Sequence, residues 1–401
     1  MKTIRSYNEL IGFGRDDVER AYLGTLDKMV CTLANRPNAT LQSVMRGARG
    51  AFPTLVVQRI KTLGLNQNLS EELEASASSK VRITGPELHL LDFEWYFTSK
   101  SANYLGRILT NETGGILCLS APTVAAAIAH RRKRVLLVDR NPLILHRLPR
   151  NLGFFQFILF DLMSPLPLRG RFSVVFFDAP WYQEFVSLWL WQASQVVHVG
   201  GLVAFALFPP LLRAGAEQER SQILKQASIL GDVELIEECL SYETPLFEEE
   251  ALASCGVRMT TSWRRADLAL VRVKRTPMTT PPTIGDSGDR WDSFLIGQQV
   301  VKLRNPCRGE SGTILAPLKD CPDYVLPSVS RRDLRRDQVD LWTSRNRVAR
   351  VGRRDIVSVI LSHLAKGLDF DKLLQTPAFS SISLKDRKQV ISSLCSILGF
   401  S

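Results

Sequence analysis

Five short runs in the middle of the chain, Gly115–Ser120, Arg134–Asp139, Phe157–Asp161, Val174–Asp178 and Leu202–Leu207, are almost wholly apolar and alternate with helical stretches. A strand apolar on both faces is stable only when both faces are covered, as in a parallel sheet between two layers of helices. The pattern predicts an α/β domain. Its helices are expected to begin near Pro122, Pro142 and Tyr182, two of them at a proline, which suits a first helical turn.

Open sheets of this kind bind ligands outside the carboxyl ends of their strands. Here the first run ends at Ser120-Ala121-Pro122-Thr123, where small residues would let a ligand lie against the backbone. The second ends at Asp139, placed to take ribose hydroxyls, and the third at Asp161, placed to receive an amino group such as that of adenine. The fourth ends at Asp178-Ala179-Pro180-Trp181. A carboxylate there can accept a hydrogen from an amine, Pro180 stiffens the turn, and Trp181 offers a flat ring. Each aspartate alone would equally suit a turn or a helix N-cap; three at consecutive strand ends favour a site.

The rest of the chain falls into three expected regions flanking or following this domain at 89–275. Residues 1–88 read as a helical module. Asp16–Leu33 carries a helical apolar face, and Thr40–Gly47 and Pro53–Leu63 form two short helices around a turn. The second ends on Arg59 and Lys61, so a helix-turn-helix or winged helix stands beside a plain helical cap. After Leu207, a polar helix around Gln218–Ser228, a solvated acidic loop at Glu248-Glu249-Glu250 and a hairpin of Val257–Trp263 with Asp267–Val273 are expected, with Arg264 and Arg265 near its tip. Residues 276–290 are a Pro/Thr-rich linker. Residues 291–401 form a basic, small α/β or α-helical domain, with a strand at Ser293–Leu303 and helices at Asp355–Leu368 and Ser383–Leu398.

The formal net charge is +11. Nine arginines lie between Arg331 and Arg354, with Asp333, Asp337 and Asp340 among them. Either a salt-bridged helix face or a phosphate-holding surface would explain them. The candidate nucleic-acid contacts are Arg59, Lys61, Arg264, Arg265, Arg331, Arg332, Arg335, Arg336, Arg345 and Arg347, with DNA or RNA as partner and a protein partner open to the C-terminal domain. Seven scattered cysteines without a C-x-x-C pair, and five histidines, argue against a zinc site or disulfide framework. The apolar stretches are broken by Asp178, Glu184, Pro209 and Pro210, so no membrane span is expected, and Met1–Glu9 lacks a signal peptide's apolar core. A cytoplasmic protein without a metal is the expectation.

On three motifs in order, segment 93–207 resembles a class I S-adenosylmethionine-dependent methyltransferase of the N6-adenine type. It is most similar to the eukaryotic branch with elongation-factor lysine methyltransferases and a ribosomal-RNA adenine methyltransferase. The motifs are the aromatic Phe93-Glu94-Trp95-Tyr96-Phe97-Thr98, the turn Cys118-Leu119-Ser120-Ala121-Pro122-Thr123 in place of a glycine-rich loop, and Asp178-Ala179-Pro180-Trp181. The resemblance implies a Rossmann-like seven-stranded sheet and S-adenosyl-L-methionine as cofactor. It implies that Phe97 and Thr98 line the methionine end, Ser120, Ala121 and Pro122 form the cradle, Asp139 holds the ribose and Asp161 faces the adenine. Asp178 and the Ala179 carbonyl would accept the target amine's hydrogens, with Pro180 shaping the turn and Trp181 stacking on the target. Ala179 departs from the family's proline, which loosens the loop and leaves open a non-catalytic, nucleic-acid-binding scaffold. A lysine-methylating enzyme is a further alternative. Asp161-Leu162-Met163-Ser164-Pro165-Leu166-Pro167 is in turn similar to a stretch of branched-chain polyamine synthases, aminopropyltransferases whose G-D-D-D turn this chain lacks.

Overall fold

The structure, a computed structural model, describes residues 15–70, 85–148, 153–168, 172–275, 280–282, 284, 290–309, 314–367 and 382–399. Two compact units are present. The first comprises Met1–Val81, Tyr96–Glu243 and Met259–Ile284, the second Arg82–Trp95, Thr244–Arg258 and Gly285–Ser401. The expected boundaries at 88, 275 and 290 give way to two crossings of the chain, because residues 82–95 and 244–258 leave the first unit for the second. The Met1–Glu9 start and most of the Thr276–Thr283 linker lie outside the described residues.

In the first unit, strands β1 (Ile116–Leu119), β2 (Val135–Asp139), β3 (Phe155–Leu159), β4 (Phe172–Phe177), β5 (Val197–Leu207), β6 (Gly231–Ser241) and β7 (Arg265–Val273) form a seven-stranded sheet. Its order is β3-β2-β1-β4-β5-β7-β6. The first five strands run parallel, and β7 is antiparallel to both β5 and β6. This is the Rossmann-like class I methyltransferase sheet. All residues of β1 are buried, as are Val174–Phe177 of β4 and Leu202–Leu207 of β5. The apolar runs thus fill the centre, where both faces are covered. Helix α5 (Pro122–His130) follows β1 and the short α6 (Ile144–Arg147) follows β2; α7 (Gln183–Val196) packs on β4 and β5, and α8 (Ala216–Leu230) on α7, β6 and β7.

Helices α1 (Arg15–Ala34), α2 (Leu41–Gly47) and α3 (Pro53–Thr62) share a core of Leu26, Val30, Val44, Met45, Val56 and Ile60. Thr40 and Ser43 close a reciprocal capping box on α2, and Pro53 opens α3 as expected. The module is built into the unit of the sheet. The Tyr22 hydroxyl donates to the Leu211 carbonyl at 3.1 Å. Phe52 meets Trp263 edge-on at 5.5 Å. Gly50 lies so close to Pro209 that a Cβ would come within 2.1 Å of its ring, so only glycine fits there.

In the second unit, β8 (Arg290–Ile296), β9 (Gln299–Asn305), β10 (Leu315–Ala316), β11 (Leu341–Thr343) and β12 (Val348–Val351) form an antiparallel sheet in the order β10-β12-β11-β9-β8. Helices α10 (Arg354–Ala365) and α11 (Leu384–Leu398) bury Ile356, Ile360, Leu361, Leu394 and Ile397 in one core with Val301, Leu303 and Leu341.

Four local expectations are corrected. The partner of β7 is β6, not Val257–Trp263, which forms no strand. Glu248-Glu249-Glu250 lies in α9 (Leu246–Ser254), where fully buried Glu248 accepts the Trp95 indole N–H at 3.2 Å. Ser293–Leu303 is a hairpin rather than one strand, because Gly297 takes a positive φ of 61° at the turn between β8 and β9. Likewise Arg331–Arg354 is no single helix face; it spans a short 3₁₀ turn at Leu334–Gln338 and the strands β11 and β12.

Candidate active site at the carboxyl edge of the sheet

The sheet order reverses between β1 and β4, and ligands of open α/β sheets bind in the crevice at such a point. Ser120 follows β1 there and Asp178 follows β4, the two joined through the Asp178 N–H, which donates to the Leu119 carbonyl at 3.2 Å. Ser120 adopts φ +52°, unusual for a residue with a side chain. Its turn is held by its N–H to the Val138 carbonyl at 2.9 Å and by the Trp189 indole N–H, which donates to its Oγ at 3.3 Å. Ala121 is buried, and Pro122 opens α5 without needing a partner for an N–H. No side chain larger than a hydroxymethyl therefore stands at Ser120-Ala121.

Asp139 closes β2 and accepts the Asn141 N–H at 2.9 Å, while exposed Asp161 accepts the Met163 N–H at 3.1 Å. Both are Asx turns, in which one carboxylate oxygen fixes the local backbone. The loop from Asp161 is anchored by Gln192 of α7, whose buried amide donates to the carbonyls of Leu162 (3.1 Å) and Ser164 (2.6 Å) and accepts from Leu166 N–H (2.9 Å). Sequence reasoning missed this glutamine, which sits among the apolar residues of an otherwise buried helix.

Phe97 and Thr98 run antiparallel to Ser241-Tyr242, with Phe97 bridged to Tyr242 and the Thr98 N–H bonded to the Ser241 carbonyl at 2.9 Å. Thr98 also caps α4 (Ser99–Leu109). Of the aromatic lead-in, Phe97 packs on Tyr242 with ring centroids 4.4 Å apart. Trp95 belongs to the second unit, edge-on to Phe247.

The Tyr242 hydroxyl donates to Oδ1 of Asp178 at 2.9 Å. Trp181 meets the Tyr242 ring edge-on at 5.3 Å. Asp178 keeps partial solvent access, yet protein surrounds it so closely that burial pushes its carboxyl up to about 8, against a smaller downward pull from the Tyr242 hydrogen bond. Burial and the neighbouring Asp178 hold the Tyr242 phenol well above its usual range. Ala179 is 3% exposed and belongs to the main core. Pro180 turns the chain, its carbonyl accepting the Tyr182 N–H at 2.6 Å. A carboxyl of this kind, bonded to the Tyr242 of a Phe97–Tyr242–Trp181 ring cluster, can accept hydrogens from a neutral donor in a poorly hydrated setting.

The basic candidates divide. Arg264 is buried, its guanidinium 5.0 Å from the Trp181 ring and 4.8 Å from the Trp263 ring, which sets it at the site and not on a phosphate-facing surface. Arg59 forms a two-pronged pair with Asp27 at 2.6 and 2.8 Å, and half-buried Arg265 points to the Glu238 carbonyl. In the second unit Arg335 pairs with Asp333, Arg345 with Glu87 and Arg347 with Glu250, while Arg336 lies over Trp342 at 4.7 Å. Arg331 is half-buried, and Arg332 and Lys61 are exposed. Among the described residues no helix is long and apolar enough to cross a membrane, and no cluster of histidine, cysteine and carboxylate side chains is placed to hold a metal.

No family model and no curated protein matches the chain. Solved structures do. The branched-chain polyamine synthase of Thermus thermophilus, in complex with N4-aminopropylspermidine and 5'-methylthioadenosine, is 16% identical with a TM-score of 0.53, over 68% of this chain and 97% of that one. Its C9 mutein with the same two molecules is 18% identical at 0.53, over 68% and 94%. The T. thermophilus 16S rRNA N2 G1207 methyltransferase, bound to AdoMet and guanosine, is more distant, at 13% identity and a TM-score of 0.30, over 51% of this chain and 45% of that one. At such identities the likeness to the polyamine synthase is one of fold alone, over the two thirds of the chain that it covers.

Proposed function

We propose that this chain is an S-adenosyl-L-methionine-dependent N-methyltransferase whose acceptor is an exocyclic amine, adenine N6 of DNA or RNA. The observation that carries the reading is the Asp178 carboxyl at the carboxyl end of β4, bonded to the Tyr242 of the Phe97–Tyr242–Trp181 ring cluster. The residues around the crevice fit the cofactor. Ser120 and Ala121 leave the end of β1 without a bulky side chain, and Asp139 and Asp161 supply carboxylates at the next two strand ends, suited to ribose hydroxyls and an adenine amino group. Phe97, Thr98 and Pro122 complete the set.

Bound there, the cofactor supplies a sulfonium methyl group that an amine nitrogen can take up. The chain's own part is to orient that nitrogen. Asp178 and the Ala179 carbonyl accept its hydrogens, which aims the lone pair and leaves catalysis to positioning and electrostatics. A flat base suits the indole of Trp181, on the face that Arg264 does not cover. A base drawn from a duplex would have to be flipped to reach it.

A second reading, aminopropyl transfer to a polyamine, is favoured by one specific pair of observations. The polyamine synthase matches the fold over two thirds of this chain, and the Asp161–Pro167 loop resembling its family is held in place by Gln192. The net charge of +11 weighs against a polycationic acceptor. The test runs both donors side by side. Radiolabel passing from S-adenosyl-L-methionine into DNA or RNA supports methyl transfer. Label passing only from its decarboxylated form into spermidine moves the assignment to the second reading, and label into protein to lysine methylation. Absence of calorimetric heat with either donor, together with no effect of Asp178→Ala, would leave a non-catalytic scaffold.

A further inference from the structure

We propose that Tyr242 is the positioning residue of the acceptor site: by donating to Oδ1 of Asp178 it fixes the carboxyl and reserves Oδ2 for the incoming amine. This rests on the reading of Asp178 as amine acceptor. The geometry is local and closed. Tyr242 lies just past the end of β6, 1% exposed, its ring clamped between Phe97 at 4.4 Å and Trp181 at 5.3 Å. Its main chain is pinned on both sides, by the Phe97 bridge and by its own N–H to the Arg264 carbonyl at 3.1 Å. A tyrosine hydroxyl has one hydrogen to give and can also accept. Here the hydrogen goes to Asp178. Among the described residues no other side chain bonds the Asp178 carboxyl, which leaves its second oxygen for a ligand's N–H. As the amine is alkylated its nitrogen must shed one proton, and Oδ2 takes it before passing it to solvent.

The charged or titratable groups around this pair are few. Arg264, on the lead-in to β7, is felt at the Tyr242 hydroxyl. The neighbouring Phe97-Thr98, Leu119-Ser120-Ala121 and Ala179-Pro180-Trp181 stretches bring no titratable side chain.

The test compares wild type, Tyr242→Phe and a chain with difluorotyrosine at 242, with carboxyl-labelled aspartate followed by NMR and Asp178→Asn assigning the signal. The Asp178 titration midpoint is expected to rise in Tyr242→Phe, which loses the donor, and to fall with difluorotyrosine, a stronger donor of nearly the same shape. An unmoved midpoint in both, in chains that melt like wild type, overturns the proposal. In the transfer assay with S-adenosyl-L-methionine and total RNA, Tyr242→Phe should lower kcat about ten- to a hundredfold, the span of a hydrogen bond to a charged group. KM for the donor should hold and the acid limb of the rate profile should move to higher pH. A fall in kcat with the pH profile unchanged means a structural role only and overturns it. Failure of wild type to alkylate any acceptor sinks the functional reading, while the two opposite shifts of the midpoint still decide whether Tyr242 governs Asp178.

Discussion

Replacing Asp178 by asparagine is expected to stabilise the protein, and increasingly so as the pH rises. The carboxyl titrates near 3.8 when solvated and near 8 in the folded chain. For a group whose folded pKa is raised, the stability it contributes is fully present below the lower value and is lost as the pH climbs through the higher one. Between pH 4 and 7 the loss accumulates over about three units at about 1.4 kcal/mol each, giving a ceiling of about 4 kcal/mol at neutral pH. Solvent reaches part of the carboxyl, so about 2 kcal/mol is the working expectation. Asparagine is nearly isosteric, keeps an acceptor for the Tyr242 hydroxyl and carries no charge to desolvate. Urea unfolding of both chains at about pH 5, 7 and 9 should show a gap that widens up to pH 8 and then levels, all other titrations cancelling in the difference. A gap that is flat or narrows with rising pH would refute the argument, since it would place Asp178 in a hydrated, ordinary setting.

Arg220→Met should destabilise the first unit by about 3–5 kcal/mol in the same assay, because it strands Asp267, a fully buried carboxylate 2.7 Å from the guanidinium, with only the Glu238 N–H left to it. Ser120→Val places a β-branched residue at φ +52° and removes the Trp189 bond, for a loss of about 2 kcal/mol and weaker calorimetric binding of S-adenosyl-L-methionine; unchanged donor binding would remove Ser120 from the cradle. If nucleic acid is the substrate, binding followed by anisotropy should weaken steeply with salt, and Lys61→Gln should reduce the slope by about one. A flat response excludes phosphate contacts.

The central sheet was legible because burial on both faces leaves no polar alternation to confuse the reading: β1, β2, β4 and β5 contain the expected runs almost residue for residue, and β3 lies two residues earlier than expected. The outer part was not. β6, at the sheet's edge, alternates charged and apolar residues in Gly231–Ser241 and merges with the preceding helix in any local reading. Its pairing with β7 across more than twenty residues cannot be seen from spacing, so Val257–Trp263 took its place. The same non-local pairing hid Tyr242, which carries no motif and reaches Asp178 only because Phe97 and β7 fix the end of β6. Glu248 misled for another reason: a run of three glutamates reads as solvated, yet one of them is buried against Trp95. Strand-end residues were legible as a series, whereas what holds each of them (Trp189, Gln192, Tyr242) arrives from distant helices and strands.

That division bears on Ala179, where the sequence departs from the proline of the resembling family. Proline would stiffen the turn by fixing φ and shrinking the unfolded ensemble, an effect of about 1 kcal/mol at most. Stiffness at this turn has other sources. The Asp178 N–H is tied to Leu119, its carboxyl to Tyr242, and the Tyr182 N–H to Pro180, so the turn is pinned at three points. Ala179 itself packs in the main core with Phe177, Phe185 and Leu162. Tertiary contacts worth several times the missing ring therefore fix the loop, and the Ala179 carbonyl is as well placed to accept a hydrogen as a proline's would be. The residue on which the geometry of this turn depends is then not Ala179 but Tyr242, since its removal frees the carboxyl that the other two bonds do not reach.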